Sequence, residues 1–558
     1  MALPGINFTV RDGGLGLVTP GTGKLQAKIG PCPLGVVNSV GVVVDKDTLQ
    51  KLYGKGGPAP EAAALALDVA AGKSAGVMMV PVNPSTYGTA SAVTHTGPGT
   101  GTMTVAIKPS QALQIRCIAG GSSSTSTWQT STDGGVTWGA TWTAAATTQL
   151  PGASFVTLAF GAGTAVTGDV VTIATTGTTA LASGTGTLVP TLSSACPLDA
   201  YTASIIITAG GALGVAMFTI TLDGGTVTVG PQVIPASGTY VVPDTGLVLT
   251  FSGTFTAGDT YSFTTTTASF TNTDLTNAFN AMVADPRRPR FLHVVGAASS
   301  VANAAAQLAA LDALMIGAVS SFEFMRALIE VPTDTDANTL AAFAASASVR
   351  VGACAAFHKV TSTLNGRVQS RNSAWSIAAR AGSVAAQEDL GRVASGSLPG
   401  VVSLQRDEQA TQGLDAGRFC TLRTMPGRNG FFITNGRLFA NAGSDFIYWQ
   451  YGIVMDQVSL AFNLSLVQFI NETVRVNSDG TIAEKDAQAI EARLKSDIIN
   501  QIDAGAVVDL SVVVDRTVNV LSTSKLAVKC RAIPNGYAKF VDADVGFQNS
   551  SLSVKAAA

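Results

Sequence analysis

Apolar and polar residues alternate near the head of the chain: Ile6, Phe8 and Val10 are interleaved with Asn7, Thr9 and Arg11. This period of two predicts a strand with one buried face. A glycine-rich lead over residues 12–23 follows, so the strand must find its backbone partners at a distance, in its own chain or in a neighbour. From Val36 the pattern turns into strand and helix. Strands are predicted at 40–44 and 77–82, with an Ala-rich helix at 60–71 that carries proline near its first turn. The rhythm stops there and resumes later, with helices at 273–284, 301–319, 336–347 and 372–384 and strands at 291–295, 322–329 and 349–354. Such alternation predicts an α/β sheet with helices on its faces.

The interruption is an internal duplication. Ala119-Gly120-Gly121 recurs as Ala209-Gly210-Gly211, Asp133-Gly134-Gly135 as Asp223-Gly224-Gly225, and Gly168-Asp169 as Gly258-Asp259, each 90 residues on. Each unit is rich in Thr, Ser and Val with glycine turns about every ten residues, the pattern of a small Ig-like β-sandwich. Two such modules in tandem, 93–183 and 184–269, are therefore expected inside one surface loop of the α/β domain.

The last 115 or so residues predict a further α+β unit. A long helix is expected over 445–474, with Tyr451, Met455, Val458, Phe462 and Phe469 on one stripe. Thr481 and Glu484 suggest a capping box for a second helix striped by Ile490, Leu494, Ile498 and Ile502. Strands are predicted at 507–514, 518–521 and 525–533. A final strand is expected where Val541, Ala543, Val545 and Phe547 alternate with Asp542, Asp544 and Gly546. The resulting division is an arm and tether at 1–24, an α/β domain in two parts (25–92 and 270–440) around modules 93–183 and 184–269, a C-terminal α+β domain at 441–540, and a terminal strand and tail at 541–558.

Composition narrows the function classes. Of 558 residues only 13% are charged, 59 are glycine, and 34 basic residues face 36 acidic ones, so no electrostatic footprint for nucleic acid or an anionic membrane is present. So little charge favours self-association. The six cysteines (Cys32, Cys117, Cys196, Cys354, Cys420, Cys530) form no close pair and read as free thiols. No basic-then-apolar leader and no run of about 18 apolar residues occurs, so neither export nor membrane insertion is expected. Gly21-Thr-Gly-Lys24 lacks the remaining residues of a phosphate loop, with Val18 and Leu25 where glycine and Ser/Thr belong. His95, His293 and His358 are scattered, and Asp334 and Asp336 sit where a helix start wants acids. Asp542 and Asp544 read as a charged face that guards an edge strand. No catalytic, cofactor or metal constellation is expected.

Several segments carry a family resemblance: Ile6-Asn-Phe-Thr-Val10, Gly30-Pro-Cys-Pro-Leu-Gly35, Lys51-Leu-Tyr-Gly54 and Val77-Met-Met-Val80, then Leu398-Pro-Gly-Val401, Pro426-Gly-Arg-Asn-Gly430, Phe431-Phe-Ile-Thr-Asn-Gly436 and Ile533-Pro-Asn-Gly-Tyr537. In order and spacing the chain resembles the tail sheath proteins of contractile phages and related injection systems, over residues 1 to about 90 and 270–558. The duplicated insert departs from that pattern. The resemblance implies an α/β sheath core, and terminal arms that add strands to a small sheet in a neighbour's C-terminal domain. Ile6, Phe8 and Val10 and Val541, Ala543, Val545 and Phe547 would carry the pairing. It implies as partners further copies of the chain, a tail tube protein, and baseplate and terminator proteins, in a virion tail built in the bacterial cytoplasm. It also implies contraction from a metastable helix without nucleotide. The alternative expectation is a surface adhesin or receptor-binding protein that uses its two β modules.

Overall fold

The five residues of strand β1 (Gln26–Gly30) are all buried although Gln26 and Lys28 are among them. The computed structural model describes residues 25–71 and 76–547. Ile6, Phe8, Val10 and the 21–24 loop lie outside these. With β2 (Gly41–Val43), β3 (Val77–Pro81), β4 (Phe291–Val294), β5 (Arg326–Glu330) and β6 (Val351–Cys354), β1 forms a six-stranded sheet in the order β2-β3-β1-β4-β5-β6. All pairs are parallel except β2 with β3. A parallel sheet needs both faces covered. Here α1 (Lys46–Tyr53) adjoins α2 (Pro58–Ala70). One face of the sheet carries α2, which packs on α6 (Ala374–Ser383); the other carries α3 (Asn272–Val283), α4 (Val301–Ser320) and α5 (Asp336–Ala342).

Local chemistry sets the helix starts. Thr271 and Asp274 form a reciprocal capping box on α3, and proline stands in the first turn of α2. Among the described residues α4 is the one helix long and apolar enough to cross a membrane, which the sequence reading did not anticipate. Its stripe of Ala304, Leu308, Leu311 and Met315 packs into the sheet core.

The insert keeps its duplication but is wired differently from the expectation. In one module a five-stranded sheet (Thr179–Ser183, Val170–Ile173, Leu113–Ala119, Thr127–Ser131, Trp142–Thr143) and a three-stranded sheet (Thr191–Ala195, Val156–Ala159, Thr147–Gln149) close over one core around Trp128 and Leu158. The other repeats this layout with Thr202–Ala209, Met217–Thr221, Thr228–Val233, Thr239–Val242, Leu247–Ser252 and Thr260–Thr264. Its last two strands, however, are Thr94–Thr96 and Thr102–Ile107, from before the first module. One module is thus nested between strands of the other rather than preceding it, so the strands at 94–107 belong with those at 202–264 and not with the 93–183 unit expected.

Two buried aspartates explain the matching strands. Asp169 Oδ1 accepts from Thr185 and Gly186 N–H (3.0 and 3.1 Å), and Asp259 Oδ1 accepts from Gly99 N–H (3.0 Å). Any Cβ at Gly99 or Gly186 would collide with its aspartate, so glycine is required at both places. Because Thr94–Thr96 pairs with Thr260–Thr264, the insert leaves and re-enters the α/β domain at one point, where Thr86 bridges Ser269 and Ala90 bridges Thr265. That adjacency is the geometry an insertion needs.

The insert is docked onto the core through a buried ion cluster. Arg371, on the Val368–Asn372 strand, donates to Asp199 Oδ1 of the insert (2.8 Å) and to Glu61 Oε2 of α2 (2.9 Å). Its guanidinium lies over the Trp375 ring at 4.6 Å.

In the C-terminal unit α7 spans Trp449–Val467, shorter than predicted. Its buried apolar residues include Trp449, Ile453, Val458 and Ala461, whereas Tyr451, Met455 and Phe462 are half-buried. The shift follows from Asp456, which turns inward to pair with Arg326 of β5 (2.6 and 2.7 Å). Helix α8 (Glu484–Gln501) buries Ile490, Leu494 and Ile498 as expected. The Thr481–Glu484 capping box does not form: Thr481 Oγ1 donates to Asp479 (2.7 Å) and Glu484 accepts from Arg516 Nε (2.7 Å). The predicted 518–521 strand is instead a helical turn, Val520–Thr523, capped by the Asn519 side chain.

Candidate assembly surface

Strands Val507–Val514 and Val528–Pro534 pair antiparallel, and neither has a second strand neighbour among the described residues. Leu510, Val512 and Val514 face the α8 stripe, which fixes the hairpin's orientation. The other face is open, with Val508 and Ile533 more than half exposed. A two-stranded ribbon with free edges offers backbone donors and acceptors to another strand.

After Pro534 the chain crosses back over the body. Asn535 Nδ2 donates to Gly505 O (2.8 Å), and Tyr537 OH donates to Gln387 O while its ring packs 5.4 Å from that of Tyr451. Lys539 Nζ binds Asp389 and Asn435 Oδ1 (the latter at 2.9 Å) and sits 4.4 Å above the Tyr448 ring. Past this anchor the predicted strand is not paired. Residues 540–547 belong to no ladder, and Val541, Val545 and Phe547 are 82%, 93% and 111% exposed. Of the expected pairing residues, Val541, Ala543, Val545 and Phe547 therefore lie on a segment that pairs with no strand among the described residues. Ile6, Phe8 and Val10 fall outside the described residues.

A cavity of about 790 Å³ opens beside the anchor, lined among others by Glu388, Asp389, Asp415, Arg423, Arg437 and Lys539. Sequence reasoning missed both the anchor and the cavity. Gln387 and Asp389 are 150 residues from Tyr537 and Lys539, and no local pattern links them.

Asp334, Asp336 and the three histidines have structural partners. Asp334 Oδ1 accepts from Thr335 N–H and Asn338 Nδ2, and Asp336 pairs with Arg406 (2.7 Å). His95 stacks on Tyr261, and His358 Nε2 meets Ser376 Oγ at 2.8 Å, its burial lowering it to about 4. His293 is fully buried within a line running Lys28 Nζ to His293 Nδ1 (3.1 Å), His293 Nε2 to Glu330 Oε1 (3.1 Å) and Trp375 Nε1 to Glu330 Oε1 (2.8 Å). Burial pulls Lys28 down to about 7 against the pull of Glu330. It pushes Glu330 up to about 7 against the Trp375 hydrogen bond. Strand register explains the cluster, since Lys28 and His293 are direct partners across β1 and β4. Five of the six cysteines are buried free thiols and Cys530 is half-exposed on the hairpin. Among the described residues no three His, Cys, Asp or Glu side chains converge as a metal site.

Among solved structures the chain is similar to the sheath tail protein of Listeria innocua (10% identity, TM-score 0.42), covering 92% of this chain and 95% of that one. It is likewise similar to the sheath tail protein of Desulfitobacterium hafniense (11% identity, TM-score 0.40; 95% and 100% covered). A third similarity is to the helical sheath of the anti-feeding prophage in its contracted state (12% identity, TM-score 0.37; 52% and 79% covered). No curated protein matches the sequence. The family described as DUF2586, N-terminal domain, matches residues 3–437, from the alternating head of the chain through the whole α/β domain and its insert, and the chain belongs to that family.

Proposed function

We propose that the chain is a structural subunit of a contractile tail sheath, which polymerises helically around a tail tube and shortens to drive the tube through a target envelope. The observation that carries this reading is the coexistence, in one chain, of an open-edged hairpin and an exposed segment of alternating apolar residues that has no strand partner among the described residues. Exposed alternation of this kind has a high cost in water, and strand addition to a neighbour's hairpin removes it while fixing register through every second side chain. The partners of this reading are other copies of the chain, the tube protein, and the baseplate and terminator proteins at the two ends. The resemblance of the head and tail motifs to sheath proteins supports the same reading. The two β modules stand as a decoration docked on the α/β domain.

Negative-stain electron microscopy of the purified chain tests this. Hollow tubes or stacked rings are expected, and a chain ending at Lys539 should lose them while remaining folded. Monodisperse monomers, both alone and with the tube protein, would overturn the proposal.

A further inference from the structure

Each acid lining the cavity beside the terminal anchor already has a basic partner. Asp415 pairs with Arg437 (2.9 Å), Glu388 with Arg392 (3.6 Å) and Asp389 with Lys539. Arg423, on the Leu422–Met425 strand, is the basic group left over. Its Nε is buried without a hydrogen-bond partner, and no acid among the described residues lies within ion-pair distance of it. A roomy polar cavity with one uncompensated guanidinium is complementary to a carboxylate, which that planar fork can bind in bidentate fashion. The same chain carries unpaired carboxylates on a segment free of its own body. Asp542 and Asp544 are exposed, share one face of the alternating run, and form no ion pair with any described residue.

We propose that this cavity is the socket for the 540–547 segment of a second copy, with Arg423 the counter-charge that receives Asp542 or Asp544. The inference rests on the sheath reading and deepens it: apolar residues of the donated segment pair with the hairpin, while its acids find the socket and set which copy is engaged. An intrachain contact is disfavoured by the segment's own course, since Val541, Val545 and Phe547 leave their own body almost fully exposed. Opposite charges at matched positions supply specificity even where their net affinity is modest. The acids thereby have a use beyond protecting an edge.

Charge reversal gives the test. Arg423→Glu makes a subunit with an acidic socket and an acidic segment; Asp542→Lys with Asp544→Lys makes one with a basic socket and a basic segment. Each alone is expected to assemble at least tenfold less than wild type, measured as the sedimenting fraction and by counting particles in negative stain. Circular dichroism and thermal unfolding of the subunits should be unchanged. Mixed in equal amounts, the two variants should recover assembly to within about threefold of wild type, because each segment then meets an opposite socket on its neighbour. An Arg423→Glu variant that assembles normally overturns the socket alone. So does a mixture no better than its components, which would place the contact within one chain or nowhere. Failure of the wild type itself to assemble overturns the sheath reading together with the socket.

Discussion

Replacing Arg371 by methionine tests what fastens the β modules to the α/β domain. The Arg371, Glu61 and Asp199 side chains retain only 8%, 4% and 1% of their exposure and come from three different parts of the chain. Methionine fills the volume but leaves two buried carboxylates facing each other with no counter-ion. Removing one member of such a cluster costs about 3–5 kcal/mol. For a folding unit of roughly 150–250 residues that lowers Tm by about 6–20 °C. The loss has a definite pH dependence. Burial already raises the Glu61 carboxyl above its ordinary range even with Arg371 present. Without the arginine, the folded state binds more protons than the unfolded one as pH falls through the carboxylate range. Stability of the variant is therefore lost as pH rises, and its deficit relative to wild type is larger at pH 8 than at pH 5. Differential scanning calorimetry at the two pH values, with limited proteolysis of the segments joining insert and core (residues 84–92 and 265–270), reads both effects. Adding Glu61→Gln and Asp199→Asn to Arg371→Met should recover at least half of the loss, since no buried charge then remains. An Arg371→Met variant that melts within 2 °C of wild type at pH 8, or a triple variant no better than the single one, would refute the reasoning.

Two further outcomes follow from the fold. In the Lys28–His293–Glu330 line, Glu330 titrates near 7 in place of 4.5, so stability falls as pH rises from about 4.5 to 7. Lys28 titrates near 7 in place of 10.5, so stability rises from about 7 to 10.5. The Lys28→Met/Glu330→Gln double variant should therefore gain most on wild type near pH 7 and less at pH 4.5 and at pH 10.5, and a difference in Tm that is flat across pH would contradict this. Deletion of residues 109–197 should leave the second module intact, because Lys108 and Leu198 N–H groups bond to the adjacent Gly246 and Thr245 carbonyls (both 2.9 Å) and the new ends meet. Deletion of 93–183 removes the closing strands Thr94–Thr96 and Thr102–Ile107 and should yield insoluble or protease-sensitive protein; equal solubility of the two deletions would show that those strands are dispensable.

Much of the architecture was legible in the sequence because it rests on local patterns. Buried strands such as Val77–Pro81 and Arg326–Glu330 read as apolar runs, and α8 read as a stripe of Ile490, Leu494 and Ile498. Strand β1 escaped notice because Gln26 and Lys28 interrupt its apolar residues, as they would on a strand with one face in water. Instead α2 and α6 cover that face, and Lys28 is accommodated only because β4 and β5 bring His293 and Glu330 beside it. No local pattern carries that information. The duplication was visible at Asp133/Asp223 and Asp169/Asp259, but strand exchange was not, because a repeat shows which segments are alike and not which of them pair. Its trace was present in Gly97 and Gly99 against Gly184 and Gly186, 87 residues apart and outside the anchors that defined the repeat.

The terminal segment shows the same division between local and distant causes. Alternation from Val541 to Phe547 specifies a strand, and the described residues supply no partner for it, so local pattern and described structure disagree. Sequences in which local preference and fold agree are the rule, and conflicts between them concentrate at functional sites. Here one such conflict falls on residues 540–547. The anchor at Tyr537 and Lys539 holds the segment's root against Gln387, Asp389 and Tyr448, while residues 540–547 join no ladder among the described residues. A chain that only needed to tolerate an unpaired end would gain nothing from fixing that root. A fixed root instead limits the volume the segment explores and raises its effective concentration near a neighbouring hairpin, which favours strand exchange between copies held side by side.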